Sequence, residues 1–477
     1  MTRRPYRRQL AMCCVAALAV VAGVCAAIAA TTAGDVPLPE LERMTLPNGL
    51  RVVLIEQRRA PLVAAALVTG AGAAQDPEGK EGLASLVGGV LRRGTVARDA
   101  QAFAAATELL AGEIDVEVDY DTTTVTASFL ARDAGVGLGL LAEMVLEPGF
   151  RRDEIERERR DLVAAVRAAQ EDPSALASLC FARFLDADHP YGRPVDGGPV
   201  SLERLGRSDV RDFYDAYYRP NGAVLVVVGA VPLSELAADT RAAFGAWQPG
   251  RPVPPAPPDP RPVTTRRILV VDKPGTTQAH IRVGNVGLTR RDPNYLVARL
   301  ANTALGGGFT SRLMQELRVR RSLTYGAWSS FTSRRARGDF RIGTFTKVET
   351  LGETVRLILA ELERYRSAPP DADEVGKARA YSCGQLPLRL QAPDALAVRV
   401  AEIEWYGLAL DEITAFCSLT TRITPEDLAA FIRGEVPSAD AVAIVVVGPA
   451  ARVLPALEGL GPVTVVPPAY CLGAASG

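Results

Sequence analysis

The sequence predicts an α+β fold of two homologous domains, each a mainly antiparallel sheet covered by helices. Three observations carry that prediction. The proline-rich stretch Gln248–Pro262 divides the chain near its middle. It cannot be helix or sheet interior, because proline lacks an N–H and fixes φ. Each half opens with two strand-like runs followed by a helix. Each half closes on a valine-rich strand ending in glycine, Val224–Gly229 and Ala443–Gly448, followed by another helix. This is the pattern of an internal duplication joined by a stiff linker, with domains at 38–247 and 266–470 and the linker at 248–265.

The elements follow in order. Arg3, Arg4, Arg7 and Arg8 precede an apolar run from Leu10 to Ala30, and Ala27-Ile28-Ala29 offers small residues for cleavage. Residues 1–31 therefore read as a secretory signal, or as an uncleaved anchor, the run being about long enough to span a bilayer. Either way the body is expected to be exported, to the periplasm or cell envelope. Leu50–Ile55 and Leu62–Val68 read as strands. Gly82–Thr95 reads as a helix ending at Gly94, because Leu83, Leu86, Val87, Val90 and Leu91 recur at helical spacing. A hairpin around Asp119–Asp121 leads into a strand over Thr123–Phe129, and helical patterns follow at 134–145, 152–170, 174–185 and 208–217. Leu233–Phe244 is an amphipathic helix behind the closing strand. In the second half Ile268–Val271 and His280–Val283 read as strands, with helices over Tyr295–Leu305 and Ala451–Leu457. Strands early, helices later and a final strand predict helices packed on an antiparallel sheet.

Composition excludes some classes of function. The 477 residues carry a formal net charge of −1, with 48% hydrophobic and 23% charged residues. Such a balance gives no case for nucleic acid or an anionic membrane as partner, so any membrane link runs through the leader. Of seven cysteines, Cys13, Cys14 and Cys25 lie in the leader. Cys180, Cys383, Cys417 and Cys471 are widely spaced with no Cys-x-x-Cys pair, which excludes a zinc ribbon and leaves any disulfide unassigned. They read mainly as small buried hydrophobes.

The helix at Gly82–Thr95 has an odd second face. Ser85, Gly88 and Gly89 stand at i, i+3 and i+4, on one side of a turn. Glycine inside a helix costs about 1 kcal/mol relative to alanine, so propensity does not explain the pair. Around this helix stand Leu46-Pro47-Asn48-Gly49-Leu50-Arg51, His189-Pro190-Tyr191-Gly192, Tyr218-Arg219-Pro220-Asn221 and the stretches Lys273–His280 and Leu305–Tyr325. Taken in order, they resemble the pitrilysin/insulinase-like zinc peptidases, which include mitochondrial processing peptidase. The resemblance covers essentially the whole chain after the leader and implies a fold forming half of a clamshell chamber.

In that family the helix carries His-x-x-Glu-His, two imidazoles gripping zinc and a glutamate activating water. The matching positions here are Ser85, Gly88 and Gly89. No metal is expected in this chain. His189 and His280 lie in different halves and read as structural or surface residues. Glu156 falls at or near the place of the family's last zinc ligand; it and Glu158 read as solvated or salt-bridged helix charges. Ser85 lacks a base to make it a nucleophile. Gly306-Gly307-Gly308 lacks the lysine of a phosphate loop and reads as a flexible turn with Thr310 or Ser311 capping the next helix. Gly88 and Gly89 are expected to leave a smooth cleft face with room for peptide.

Arg318 and Tyr325 keep the spacing of an arginine and a tyrosine that, in the family, sit across the cleft from the zinc helix. A guanidinium and a phenol are strong donors for a developing oxyanion. Outside the family frame, Arg318 with Arg320 and Arg321 reads as a solvated basic helix end. The resemblance implies the metal-free subunit of a heterodimeric zinc endopeptidase. It would need no cofactor of its own, with zinc expected in a homologous partner that retains His-x-x-Glu-His. Arg318 and Tyr325 would act in trans at that partner's site on unfolded peptides. A second reading is a purely structural subunit, like the core subunits of the respiratory cytochrome bc1 complex.

Overall fold

The computed structural model describes residues 34–473, so the leader read at 1–31 lies outside the described residues. The first half contributes β1 (Leu41–Thr45), β2 (Arg51–Glu56), β3 (Leu62–Thr69), β4 (Glu113–Val118), β5 (Thr123–Leu130) and β6 (Val224–Gly229). The second contributes β7 (Arg267–Asp272), β8 (Gln278–Val286), β9 (Ala327–Thr332), β10 (Asp339–Lys347), β11 (Ala443–Gly448) and β12 (Val463–Val466). The longer helices of the first half are α1 (Leu83–Leu91), α2 (Ala100–Leu109), α3 (Ala134–Leu146), α4 (Arg152–Glu171), α5 (Pro173–Leu185), α6 (Arg207–Tyr217) and α7 (Leu233–Phe244). Those of the second are α8 (Tyr295–Asn302), α9 (Leu351–Ser367), α10 (Ala372–Arg389), α11 (Pro393–Trp405) and α12 (Pro425–Glu435).

Both halves build the same sheet. The strand orders are β1-β2-β6-β3-β5-β4 and β12-β7-β11-β8-β10-β9. Within each, the strand closing the half inserts beside the opening strand and parallel to it: β6 beside β2, β11 beside β7. The pairs β3–β5, β5–β4, β8–β10 and β10–β9 are antiparallel. Only the outermost strand differs in origin, coming from the start of the chain in one sheet and from its end in the other. The duplication is therefore structural, and the fold is α+β as the sequence predicts.

The central strands β6 and β11 are apolar at every position because both faces of each sheet are covered. Successive side chains point to opposite faces. One face of the first sheet, with Val52, Leu54, Ala65, Leu67, Leu225 and Val227, packs on helices of its own half. The other face, with Val53, Ile55, Ala66, Val68, Val224, Val226 and Val228, is covered by Leu396, Ala397, Val400 and Ile403 of α11, a helix of the second half. The second sheet mirrors this arrangement. Leu269, Val271, Val445 and Val447 are covered by Leu176, Ala177, Cys180 and Phe181 of α5, a helix of the first half. Each half thus lends a helix to the other's sheet.

Polar contacts anchor each lent helix within its own half. Both lent helices start with proline, whose missing N–H costs nothing there, and Asp172 caps α5 through the Ser174 N–H at 2.7 Å. The fully buried Arg290 donates to Glu402 on α11 at 2.9 Å and to both oxygens of Glu412 at 2.9 and 2.7 Å. The linker carries no helix or strand, as expected, yet it is seated rather than free. Val253 packs where a Cβ on Gly70 would stand only 2.7 Å from its Cγ1. His189 Nε2 meets Pro258 O at 2.7 Å, and Arg335 donates to Pro254 O at 2.7 Å.

The cysteines correct their sequence reading as isolated small hydrophobes. Cys180 on α5 is joined to Cys471, and Cys383 on α10 to Cys417, with Cα–Cα distances of 4.7 and 5.6 Å. Sequence spacing could not show this, because the first pair spans 291 residues and meets only through the exchanged helix.

Candidate functional site

The α1 helix is anchored at its start by an aspartate outside it. Gly82 takes φ 92°, and a side chain there would put a Cβ 2.7 Å from Asp196 O. No side chain at Gly82 caps the helix. The Asp76 carboxylate does so instead, accepting from Gly82 N at 2.8 Å and Ala84 N at 2.9 Å. Burial nevertheless pushes the Asp76 carboxyl up to about 8, outweighing those backbone bonds. Leu83, Leu86, Val87, Val90 and Leu91 are buried, the face the periodicity predicts.

The other face is closed. Ser85 Oγ lies 2.9 Å from Asp196 Oδ1 and 3.1 Å from Val195 O. Its one acidic partner, Asp196, has no third group orienting it among the described residues, so Ser85 is held as a structural hydroxyl. A Cβ on Gly88 would stand 2.9 Å from Val118 Cγ2 and 3.2 Å from Val116 Cγ1, so β4 packs directly on this glycine. A Cβ on Gly89 would stand 2.6 Å from the carboxyl carbon of Glu158. Arg93, one turn further along, donates to Glu158 at 2.7 Å and to Asp161 at 2.6 Å.

One expectation is corrected here, and Glu156 and Glu158 are salt-bridged helix charges as the sequence reads. The glycines do not leave room for peptide, because Val116, Val118 and Glu158 occupy that room. The carboxylate facing the helix is Glu158, whereas Glu156 pairs with Arg159 on its own helix. Zinc does not fit these residues. Positions 85, 88 and 89 supply one hydroxyl, already bonded, and Glu158 is neutralised by Arg93. Among the described residues no three His, Cys, Asp or Glu side chains converge into a metal-binding group.

The two histidines have other work. His189 Nδ1 accepts from Tyr191 N at 3.0 Å while its Nε2 meets the linker at Pro258 O. His280 on β8 stacks on Phe345 at 5.6 Å, and burial, then Arg282, lowers its basicity.

In the second half the helix expected over Tyr295–Leu305 is α-helical only to Asn302 and widens into a π-helical turn at Thr303–Gly307. The widening brings Gly306 against Ser329 of β9, so close that any Cβ would collide with the Ser329 backbone nitrogen. Asn302 secures the approach by bonding Ser329 O at 3.0 Å and Ser329 Oγ at 2.8 Å. The following helix, π-helical over Met314–Arg320, has no side-chain cap, contrary to the expectation of Thr310 or Ser311; the Ser311 hydroxyl is buried without a partner.

Arg318 and Tyr325 flank the end of that helix. Arg320 and Arg321 turn back to Glu316, at 2.8 and 3.4 Å, and form the basic helix end. Arg318 stands apart from them. Its guanidinium carbon lies 4.6 Å from the ring centre of Phe309, itself 64% exposed. Tyr325 is 80% exposed on the loop leading to β9. Among the described residues neither side chain has an acidic partner or a side-chain hydrogen bond. No hydrogen bond or ion pair among the described residues joins this loop to α1.

Comparisons with known proteins agree with this geometry. Residues 51–193 match the family model described as Insulinase (Peptidase family M16), and residues 204–381 match the one described as Peptidase M16 inactive domain. An uncharacterized zinc protease of Streptomyces coelicolor is 27% identical over 84% of this chain and 88% of its own. A Helicobacter pylori protein named as a non-peptidase homolog is 22% identical over 74% of this chain and 81% of its own. The solved structure of a peptidase M16 inactive domain from Pseudomonas fluorescens superposes with a TM-score of 0.81 at 26% identity, covering 86% of this chain and 98% of that one. Sequence and fold together make this chain a member of the insulinase-type M16 peptidase family, one that lacks the zinc-binding motif of the family.

Proposed function

We propose that this protein is the zinc-free subunit of an exported, paired M16 metalloendopeptidase. It supplies Arg318 and Tyr325 to the cleft of a homologous partner that carries the intact His-x-x-Glu-His motif. The observation that carries this reading is the contrast between the two halves. The first half's helix face is sealed by Glu158 and Arg93 over Gly89, while the second half keeps a half-buried Arg318, stacked on Phe309, and an exposed Tyr325, neither with an acidic or side-chain hydrogen-bonding partner among the described residues. Donors of this kind stabilise negative charge developing on a peptide carbonyl oxygen. The substrate class is unfolded peptide, since an extended chain enters a closed cleft more readily than a folded domain.

The test is reconstitution. The full chain purified alone is expected to bind no stoichiometric zinc and to cleave no peptide; adding the zinc-bearing homologue restores cleavage. Cleavage by the single chain sinks the proposal.

A second reading, a scaffold subunit without a peptidase role, draws on the Helicobacter pylori relative named as a non-peptidase homolog. It predicts a stable complex whose activity is indifferent to Arg318 and Tyr325.

A further inference from the structure

Arg93, Arg290, Arg312 and Arg399 each meet a carboxylate. Arg51, Arg291 and Arg335 do not, among the described residues, and all three line one cavity of about 410 Å³. Asn221, Val253 and Trp405 also line it, and no acidic residue does. The cavity draws on every part of the chain. Arg51 opens β2 and Asn221 precedes β6 in the first half, Val253 belongs to the linker, and Arg291, Arg335 and Trp405 come from the second half.

Each guanidinium is held by a single backbone carbonyl. Arg51 donates to Glu404 O at 2.9 Å, Arg291 to Tyr406 O at 2.7 Å and Arg335 to Pro254 O at 2.7 Å. The first two carbonyls belong to the C-terminal end of α11, where the helix dipole favours a cation. That structural duty explains one positive charge and one N–H of each fork. It does not explain three positive charges around one space, which repel one another. Burial pushes the Arg51 guanidinium below its ordinary value; the Glu404 carboxylate opposes this and the neighbouring Arg291 reinforces it. The nearby carboxylates are engaged elsewhere, Glu404 with Arg43 at 2.8 Å and Asp121 with Tyr191 and the Arg335 backbone.

We propose that this cavity binds a compact multivalent anion bearing phosphate or carboxylate groups. Planar guanidinium forks match both kinds of oxyanion, and Trp405, 5.7 Å from the Arg335 guanidinium carbon, supplies a flat wall. Because its donors come from both halves, the bound anion clamps the junction between them. This site is independent of the peptidase reading.

The experiment is calorimetric titration of the full chain with pyrophosphate and, separately, citrate, at constant ionic strength set with sodium chloride. Saturable one-site binding of either anion is expected, weakened tenfold or more in an Arg291→Gln/Arg335→Gln variant. Pyrophosphate alone binding assigns the phosphate class; citrate alone assigns the carboxylate class. No saturable binding of either, or equal affinity in the variant, overturns the proposal. If that variant does not fold, a crystal structure of the wild-type chain with the bound anion decides. Density between Arg51, Arg291 and Arg335 supports the site, and density only elsewhere overturns it.

Discussion

The carboxyl group of Glu158 stands where a side chain at position 89 would begin, its carbon 2.6 Å from the place of the missing Cβ. Glycine at 89 and glutamate at 158 are thus one packing solution. Gly89→Ala is expected to lower stability by about 1–3 kcal/mol, the usual cost of overfilling a packed site. In a Glu158→Ala background the same change should stabilise instead, by up to about 1 kcal/mol, as helix propensity takes over. Urea denaturation of the four chains measures the reversal. Equal effects in both backgrounds would show that the two residues are not coupled.

Arg318→Ala and Tyr325→Phe are expected to reduce turnover by the reconstituted pair by about a hundredfold, the scale of a lost oxyanion donor. Both side chains are held by little, so stability of the isolated chain should move by no more than about 0.5 kcal/mol. Peptide turnover, analytical ultracentrifugation and thermal melts separate catalysis, assembly and folding. Turnover that falls only in step with assembly would place both residues in the subunit interface.

The capping carboxyl of Asp76 makes stability depend on pH. In the unfolded chain it loses its proton near 3.8; in the folded protein burial keeps the proton to about 8. Between those values the folded state binds the extra proton, so this group's contribution is largest at low pH and is lost as pH rises toward 8. Asp76→Asn removes the titration. The difference in unfolding free energy between wild type and variant should therefore slope by up to about 1.4 kcal/mol per pH unit from pH 5 to 8. A difference independent of pH would refute the assignment.

The disulfide joining Cys180 to Cys471 closes a loop of 291 residues, the other a separation of 34. Chain-entropy arguments give each about 2–5 kcal/mol, with the longer loop worth more. Paired replacement Cys180→Ala/Cys471→Ala should therefore lower the melting temperature more than Cys383→Ala/Cys417→Ala. In the unreduced wild-type protein none of the four thiols should react with a maleimide until the chain is unfolded and reduced.

Sequence reasoning reached what local periodicity encodes. The runs at 50–55 and 224–229 were legible as strands, α1 as a helix with an odd face, and the halves as repeats. It missed what only distance in sequence creates. Nothing local tells that Leu396 and Val400 cover the first sheet, or that Cys180 meets Cys471, because both contacts depend on which half a helix packs against. Glu156 and Glu158 sit two apart on one helix, and which of them faces Gly89 depends on that helix's rotation against α1. The amphipathic pattern of Ile155 and Val166 hints at this rotation but does not set it. The π-helical turn at Thr303–Gly307 was hidden for another reason. Its glycines signal freedom, not the close approach of Ser329 that uses it.

The exchange of α5 and α11 between the sheets also sets an order of events during synthesis. When Gly229 has been made, the first sheet has all its strands, but the face bearing Val53, Ile55, Ala66, Val68 and Val226 is bare. It stays bare until residues 393–405 arrive from the far end of the chain. Each of those valine and isoleucine side chains gains about 1.5–3 kcal/mol on burial, so the nascent first half carries a strongly adhesive surface while it waits. A ribosome-bound fragment ending at the linker should bind chaperones that the finished chain ignores.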